Sequence, residues 1–334
     1  MWRMGVLAAA AAASCAVQAA TLIPVPPVPG ARLTVVTAIN DNNQIAGGYF
    51  TFGGEGHGFY GTLDGRYHTI DGRTGWTSAR GISNKGDITA IGNFQSDDHC
   101  AWIPFERRAG GDETQILRGI RPLNGFVQGY DTRRRFAGDF CGVHGIRVRG
   151  FIGKNAHRRS APVEIAPYRI VGARGVNLSD AMVGSVSDSD DGPLQAFTIL
   201  GGVSRVFAFD DAKAVNTVLQ GLNADGIAAG HWDKGDFLWQ AFRLDTKTDT
   251  VTPIDVPGAS YVQAFGVNSK GLIAVVASSG SFIWCPDGAD CPGAGIHVAQ
   301  TSFHAALQGL PRPRRSARLR KPAHRGLPDA DGRF

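Results

Sequence analysis

After its first twenty residues the 334-residue chain has no apolar run long enough to cross a bilayer as a helix, which takes about 20 residues. It also has no Gly-x-Ser-x-Gly elbow, no His-Glu-x-x-His and no Gly-x-x-x-x-Gly-Lys-Ser/Thr loop, so the hydrolase and nucleotide sites most readable from sequence are missing. Charge is sparse, at 19% of residues. The formal net charge of +5 would suggest an acidic partner if it were spread over a fold, but it is not. Eight Lys and Arg against Asp329 and Asp331 fall in Leu310–Phe334, a tail of +6, which leaves −1 for residues 1–309. Glycine is what abounds, 45 residues without a Gly-X-Y period, beside 43% hydrophobic residues. That composition excludes collagen and general disorder, argues against helix bundles, and indicates a real core reached through many tight turns.

The N-terminus reads as a leader. Arg3 precedes the small apolar run Gly5–Ala13, and Val17-Gln18-Ala19 puts small residues at the −3 and −1 positions of a cleavage site. Residues 1–19 are expected to be a secretory signal, with a mature chain from Ala20 that is secreted or periplasmic. Cys15, after Ala12-Ala13-Ser14, is the lipoprotein alternative, but Ala12 stands where Leu is usual. Cleavage leaves Cys100, Cys141, Cys285 and Cys291, an even count that suggests disulfides in an exported chain. Cys285 and Cys291 bracket the turn-forming Pro-Asp-Gly-Ala-Asp, a local closure worth about 2 kcal/mol, whereas Cys100 with Cys141 would close a longer loop for about 4 kcal/mol. A C-x5-C without a matching second pair fits zinc poorly, and neither a metal nor a cofactor is expected.

Between leader and tail the chain repeats itself. Apolar residues at 39, 82, 130, 176, 222 and 267 are each followed by Asn, Asp or Ser: Asn40, Ser83, Asp131, Asn177, Asn223 and Asn268. Three positions on stand Asn43, Gly86, Arg134, Asp180, Gly226 and Gly271. A side chain able to bond the backbone two residues on, then a residue tolerant of positive φ, is hairpin-turn chemistry, and only Arg134 departs from it. About twenty residues later a small residue precedes an aromatic: Gly58-Phe59, Ala101-Trp102, Gly150-Phe151, Ala196-Phe197, Ala241-Phe242, and the earlier Ser281-Phe282. Alternating segments rich in Val, Ile, Thr and aromatics complete four short strands per repeat. One sheet of that size cannot bury both faces alone, but six packed radially can. The expected fold is a six-bladed β-propeller of four-stranded antiparallel blades over residues 20–309, with the aromatics as plugs between blades and residues 310–334 a basic disordered tail.

These residues resemble the bacterial extracellular proteins built of HAF repeats, whose core reads Gly-Ile-Asn-x-x-Gly, then His-Gly-Phe, then Ile-Asp-x-Pro-Gly-Ala. His57-Gly58-Phe59, Ile254-Asp255-Val256-Pro257-Gly258-Ala259 and Asn223–Gly226 carry the resemblance, which spans residues 28 to about 300. It implies export and a repeat fold, and brings no catalytic residues with it.

Candidate chemistry is thin. The position before the small-aromatic pair is mostly polar, and His57, Arg149, Gln195 and Gln240 are the candidates for a ligand-binding polar rim. Gly53–Gly58 is glycine-rich but lies in a hairpin rather than between strand and helix, so it reads as a flexible loop. The acidic runs Asp97-Asp98 and Asp188–Asp191 miss the EF-hand spacing. The tail offers counterions to anionic polymers. The expected function is an exported, monomeric binding or interaction scaffold for an extracellular ligand or protein, with no catalytic residue assigned. The alternative is an exported propeller enzyme acting on carbohydrate, which would need two carboxylates about 5 to 10 Å apart.

Overall fold

In the computed structural model the described residues run as a series of short strands, and no helix occurs among them. Residues 17–304 are described, apart from 72–74, 94–101, 112, 116–124, 131–134, 142–147, 154–160, 178, 190–191, 209–213, 236–237, 294 and 302. The first strand, β1 (Val17–Pro24), stands outside the repeat. Blade 1 holds β2 (Ala31–Ile39), β3 (Gln44–Thr51), β4 (Gly56–Thr62) and β5 (Tyr67–Ile70), and blade 2 holds β6 (Trp76–Ile82), β7 (Ile88–Asn93), β8 (Trp102–Arg107) and β9 (Glu113–Gln115). Blade 3 follows with β10 (Gly125–Tyr130), β11 (Phe136–Cys141), β12 (Val148–Gly153) and β13 (Ala161–Val163). Blade 4 is β14 (Ile170–Val176), β15 (Met182–Ser187), β16 (Gln195–Leu200) and β17 (Val203–Phe207). Blade 5 is β18 (Asn216–Leu222), β19 (Ile227–Asp233), β20 (Gln240–Asp245) and β21 (Thr250–Ile254), and blade 6 begins with β22 (Val262–Val267), β23 (Ile273–Ala277) and β24 (Gly280–Pro286). Two late strands, β25 (Ile296–Thr301) and β26 (Phe303–His304), add to the outer edges of blades 6 and 5.

Blades 1 to 5 are antiparallel sheets built in chain order and blade 6 begins in the same way, so the fold is the expected six-bladed propeller. Its boundaries are shifted by one strand from the sequence repeat. The strand leading into each turn motif opens the following blade as its innermost strand, so every repeat straddles two blades. Blade 6 has only three consecutive strands of its own. Its fourth is β1, which pairs antiparallel with β24 from Ala20↔Pro286 to Pro24↔Phe282 and closes the ring between the two ends of the chain.

The innermost strands meet on the axis. All six carry a register shift near their ends, and the residue there is glycine in five blades: Gly81, Gly129, Gly175, Gly221 and Gly266, with Ala38 in the first. A bulge turns each strand so that backbone faces backbone across the blade boundary. A Cβ on Gly221 would stand 2.5 Å from Phe265 O, and one on Gly175 2.9 Å from Leu222 N. Both neighbours are main chain and have no rotamer to escape into. Gly221→Ala is therefore expected to cost about 1–3 kcal/mol by overpacking, seen as a lowered urea midpoint. Gly110→Ala, where nothing lies within 4 Å, is the silent control.

The aromatic plugs are where the repeat places them, with one correction. Phe59, Phe151 and Phe197 are 0% exposed and Phe242 1%, each set among apolar residues of its own blade and the preceding one. The small residue before the plug faces forward instead: a Cβ on Gly58 would touch Thr77 and Ala79 of blade 2. In blade 2, however, Ala101-Trp102 is not the plug. Phe59 pairs with Gly47, third residue along its strand from the turn pairing; the matching residue in blade 2 is Ala90, and its partner is Phe105. Phe105, 8% exposed, packs in the cluster joining blades 1 and 2. Extra residues between β7 and β8 moved the plug beyond the usual spacing.

Cys285 and Cys291 are disulfide-bonded, with Cα atoms 5.9 Å apart. Cys100 and the side chain of Cys141 lie outside the described residues, as do residues 1–16 of the expected leader 1–19 and the tail 310–334.

Candidate functional site

Because successive strands alternate direction, the propeller has a turn face, carrying the β2–β3 turn and its equivalents, and a loop face at the opposite end. On the turn face the Asx/Ser column does the turn chemistry the sequence predicts. The Oδ1 atoms of Asn40, Asn177, Asn223 and Asn268 each accept from the backbone N–H groups two and four residues on, at 2.9–3.2 Å. Ser83 Oγ does the same for Lys85 and Asp87. The fourth turn residues are left-handed: Asn43, Gly86, Asp180, Gly226 and Gly271 have φ between 57° and 87°.

The amide ends of these asparagines go further than the sequence shows. Asn40 Nδ2 donates to Ser83 O at 2.8 Å, Asn177 Nδ2 to Asn223 O at 2.9 Å, Asn223 Nδ2 to Asn268 O at 2.9 Å, and Asn268 Nδ2 to Asn40 O at 3.1 Å. Each side chain thus ties its own turn and then the next blade. At the blade 3–4 boundary the task falls to Arg135, whose guanidinium donates to Asn177 O and pairs with Asp180. The departure at Arg134 lies outside the described residues. The ring frames a mouth of ≈ 250 Å³ on the axis, bordered by Asp41, Asn84, Ala224 and Ser269 besides the ring residues. Asp41 is itself pinned by Asn84 Nδ2 and Ser269 N, and these bonds hold its carboxyl below the usual range although burial opposes them. The mouth's polar groups are already engaged with one another.

The loop face is different in kind. There a row of four rings crosses three blades: Phe50 stacks on Trp76 with centroids 5.6 Å apart, Trp76 meets Trp102 edge-on at 4.5 Å, and Trp102 meets Phe126 at 5.4 Å. All four rings are partly exposed, and Phe52, at the tip of the β3–β4 turn, is 80% exposed. Gly56 makes room for the row, since a Cβ there would overlap the Trp76 indole at 1.2 Å. The glycine-rich stretch is thus a packing seat for a neighbouring ring. Beside it His57 stacks on Tyr49 and its Nδ1 lies 2.6 Å from Asp71 Oδ1.

The polar-rim candidates do not converge. His57 is bonded to Asp71, and Gln195 Oε1 accepts from Tyr168 OH at 2.9 Å. Gln240 is exposed at the start of β20, and the side chain of Arg149 lies outside the described residues. None of His57, Gln195 or Gln240 borders the axial cavities. Among the described residues no cluster of His, Cys, Asp and Glu is placed to hold a metal, and no helix is long and apolar enough to cross a membrane.

At the boundary of blades 3 and 4 sits a largely buried ion pair. Arg174 pairs with Asp139 at 3.1 Å, and burial pushes the Asp139 carboxyl up against the opposing pull of Arg174 and Arg80. His231 is pushed down to about 4 by burial, partly offset by its bond to Ala264 O, and is a neutral ring at physiological pH.

No protein-family profile and no curated protein matches this chain. Solved structures do match it in shape. A protein described as TolB from Agrobacterium tumefaciens aligns over 71% of this chain and 88% of its own, with 9% identity and a TM-score of 0.52. A lectin from Aleuria aurantia in complex with Fucalpha1-6GlcNAc aligns over 86% and 99%, with 10% identity and a TM-score of 0.49. A streptogramin B lyase aligns over 80% and 87%, with 10% identity and a TM-score of 0.43. At such identities the likeness is one of fold.

Proposed function

We propose that this chain is an exported binding module that holds a carbohydrate against the aromatic row of its loop face. The observation that carries the reading is the row itself: Phe50, Trp76, Trp102 and Phe126, partly exposed and in consecutive contact across three blades. Flat rings suit the C–H faces of sugar rings, and an imidazole–carboxylate pair such as His57–Asp71 suits hydroxyls at the edge. Rigid rings held by their neighbours also lose little freedom on binding. The Cys285–Cys291 disulfide supports an oxidising compartment, in keeping with the leader and the HAF-like repeat motifs. A monomer fits the exposed large apolar residues, which sit at separate points of the chain: Leu33, Phe52, Val203, Val215 and Leu238.

The test is a glycan array with the mature protein, followed by calorimetric titration of the hits. Trp102→Ala is expected to weaken binding about tenfold, near the upper end of what one stacked ring contributes. Equal affinity of the wild type and Trp102→Ala for every hit removes the row as the site. Release of new reducing ends from the bound glycan would favour the enzyme reading instead.

A further inference from the structure

The residues just before each axial glycine, or before Ala38, are Thr37, Arg80, Gln128, Arg174, Gln220 and Phe265. All but Arg174 border a cavity of ≈ 50 Å³ on the axis, whose remaining wall is the glycine collar with Ala38 and the larger apolar residue that follows each of them. Arg174 turns aside to Asp139, so the one buried carboxylate of this group is already committed. Arg80 is left over. Its Nε finds no acceptor, and among the described residues its guanidinium makes no ion pair or hydrogen bond. Gln220 Oε1, on the same cavity, likewise finds no donor, and its amide is free to turn its N–H groups inward. Burial, with the charge of Arg174, holds Arg80 down to about 10 against the distant pull of Asp139, so it remains a cation at neutral pH.

Arg80 is half-buried with its Nε shut off from water, and a cation so placed with unused donors is stabilised when something anionic meets it. The collar bounds the size of that partner. A water needs about 10–15 Å³ of such space, so the cavity takes three or four atoms and no sugar. We propose that the channel is a binding site for one small monovalent anion, a halide or a planar oxyanion of three or four heavy atoms, held by the Arg80 guanidinium and the Gln128 and Gln220 amides. The site is independent of the carbohydrate reading, which concerns the loop face.

Thermal unfolding of the full-length mature protein tests it, in gluconate buffer, whose anion is too large for the cavity, with chloride, nitrate or formate substituted at constant ionic strength. The wild type is expected to gain several degrees saturably with at least one of the three. Arg80→Gln should melt higher than the wild type in gluconate, being relieved of the unmet charge, and should not respond to the small anions. Arg80→Lys, which keeps the charge without the planar fork, should need at least tenfold more anion for half the shift. If Arg80→Gln does not fold, broadening of the chloride NMR line by the wild type, reversed by nitrate, stands as the supporting result. Equal responses in wild type and Arg80→Gln, or no saturable response and no line broadening, overturn the proposal.

Discussion

A chain that starts at Pro26 is expected to lose cooperative unfolding at ordinary temperatures, while one that starts at Ala20 should melt with the full-length protein. The difference is five paired residues. Ala20–Pro24 provide the whole ladder to β24, whereas Val17, Gln18 and Ala19 pair only with β25. Their side chains sit in two cores at once: Ala20 and Leu22 face the cluster of blades 5 and 6, and Ile23 and Val25 the cluster between blades 6 and 1. Leu22 is 0% exposed, Ile23 5% and Val25 8%, which at about 2 kcal/mol for each large side chain comes to about 6 kcal/mol. Losing the strand also uncovers the edge of β24, with Ile283, Trp284 and Cys285 behind it. Domains are stable by about 5–15 kcal/mol in total, so the loss is comparable to the whole. Calorimetry of the two truncations decides it. A single sharp transition at the full-length temperature for the chain from Pro26 would mean that β1 closes nothing. The cleavage point expected from the small residues at 17 and 19 falls where the β24 ladder begins, so a mature chain from Ala20 keeps every one of those pairs.

Much of this architecture is legible because it repeats. Asn40, Ser83, Asn177, Asn223 and Asn268 form a visible column since the same local bond is made each time, from a side-chain oxygen to the N–H two residues on. The blade count and the plugs follow from the same periodicity. The plug of blade 2 escaped because periodicity carries no information across an insertion, and only the pairing Ala90↔Phe105 identifies it. The chain's closure by β1 is also silent in the repeat, since its two strands lie at opposite ends of the chain. The two candidate sites are hidden for a different reason. Thr37, Arg80, Gln128, Arg174, Gln220 and Phe265 occupy one structural position but have no residue type common to all six, so no column announces them. Phe50, Trp76, Trp102 and Phe126 come from the ends of four strands at unrelated points of the repeat, and only the folded loop face brings them together. Conversely, His57, Arg149, Gln195 and Gln240 form a clear column, yet a shared register places them one per blade, and His57 and Gln195 are each bonded close to home.

Substitutions at Asn223 should separate the turn from the tie between blades. Asn223→Ser is expected to cost about 1 kcal/mol, because Ser83 already shows that a hydroxyl keeps both turn bonds and gives up only the bond to the next blade. Asn223→Ala loses one buried and two part-buried bonds and leaves Asp225 N, Ile227 N and Asn268 O without their partner, for about 3 kcal/mol. Asn223→Asp is the informative case. A carboxylate keeps the two turn bonds but presents a lone pair to Asn268 O, which the native amide meets at 2.9 Å. The two turn N–H groups favour the carboxylate, but burial and the facing Asn268 O, to which only the protonated acid can donate, oppose it more strongly, so the folded-state pKa is expected to rise above the unfolded value of about 3.9. A group raised in this way contributes its stability fully below the unfolded pKa and loses it as pH rises through the folded one. Relative to the wild type, Asn223→Asp should therefore be near Asn223→Ser at acid pH and fall progressively further behind towards neutrality, read from urea midpoints across the range. A deficit that does not change with pH would mean that the carboxylate turns away from Asn268, and that the asparagine ring holds turns but does not tie one blade to the next.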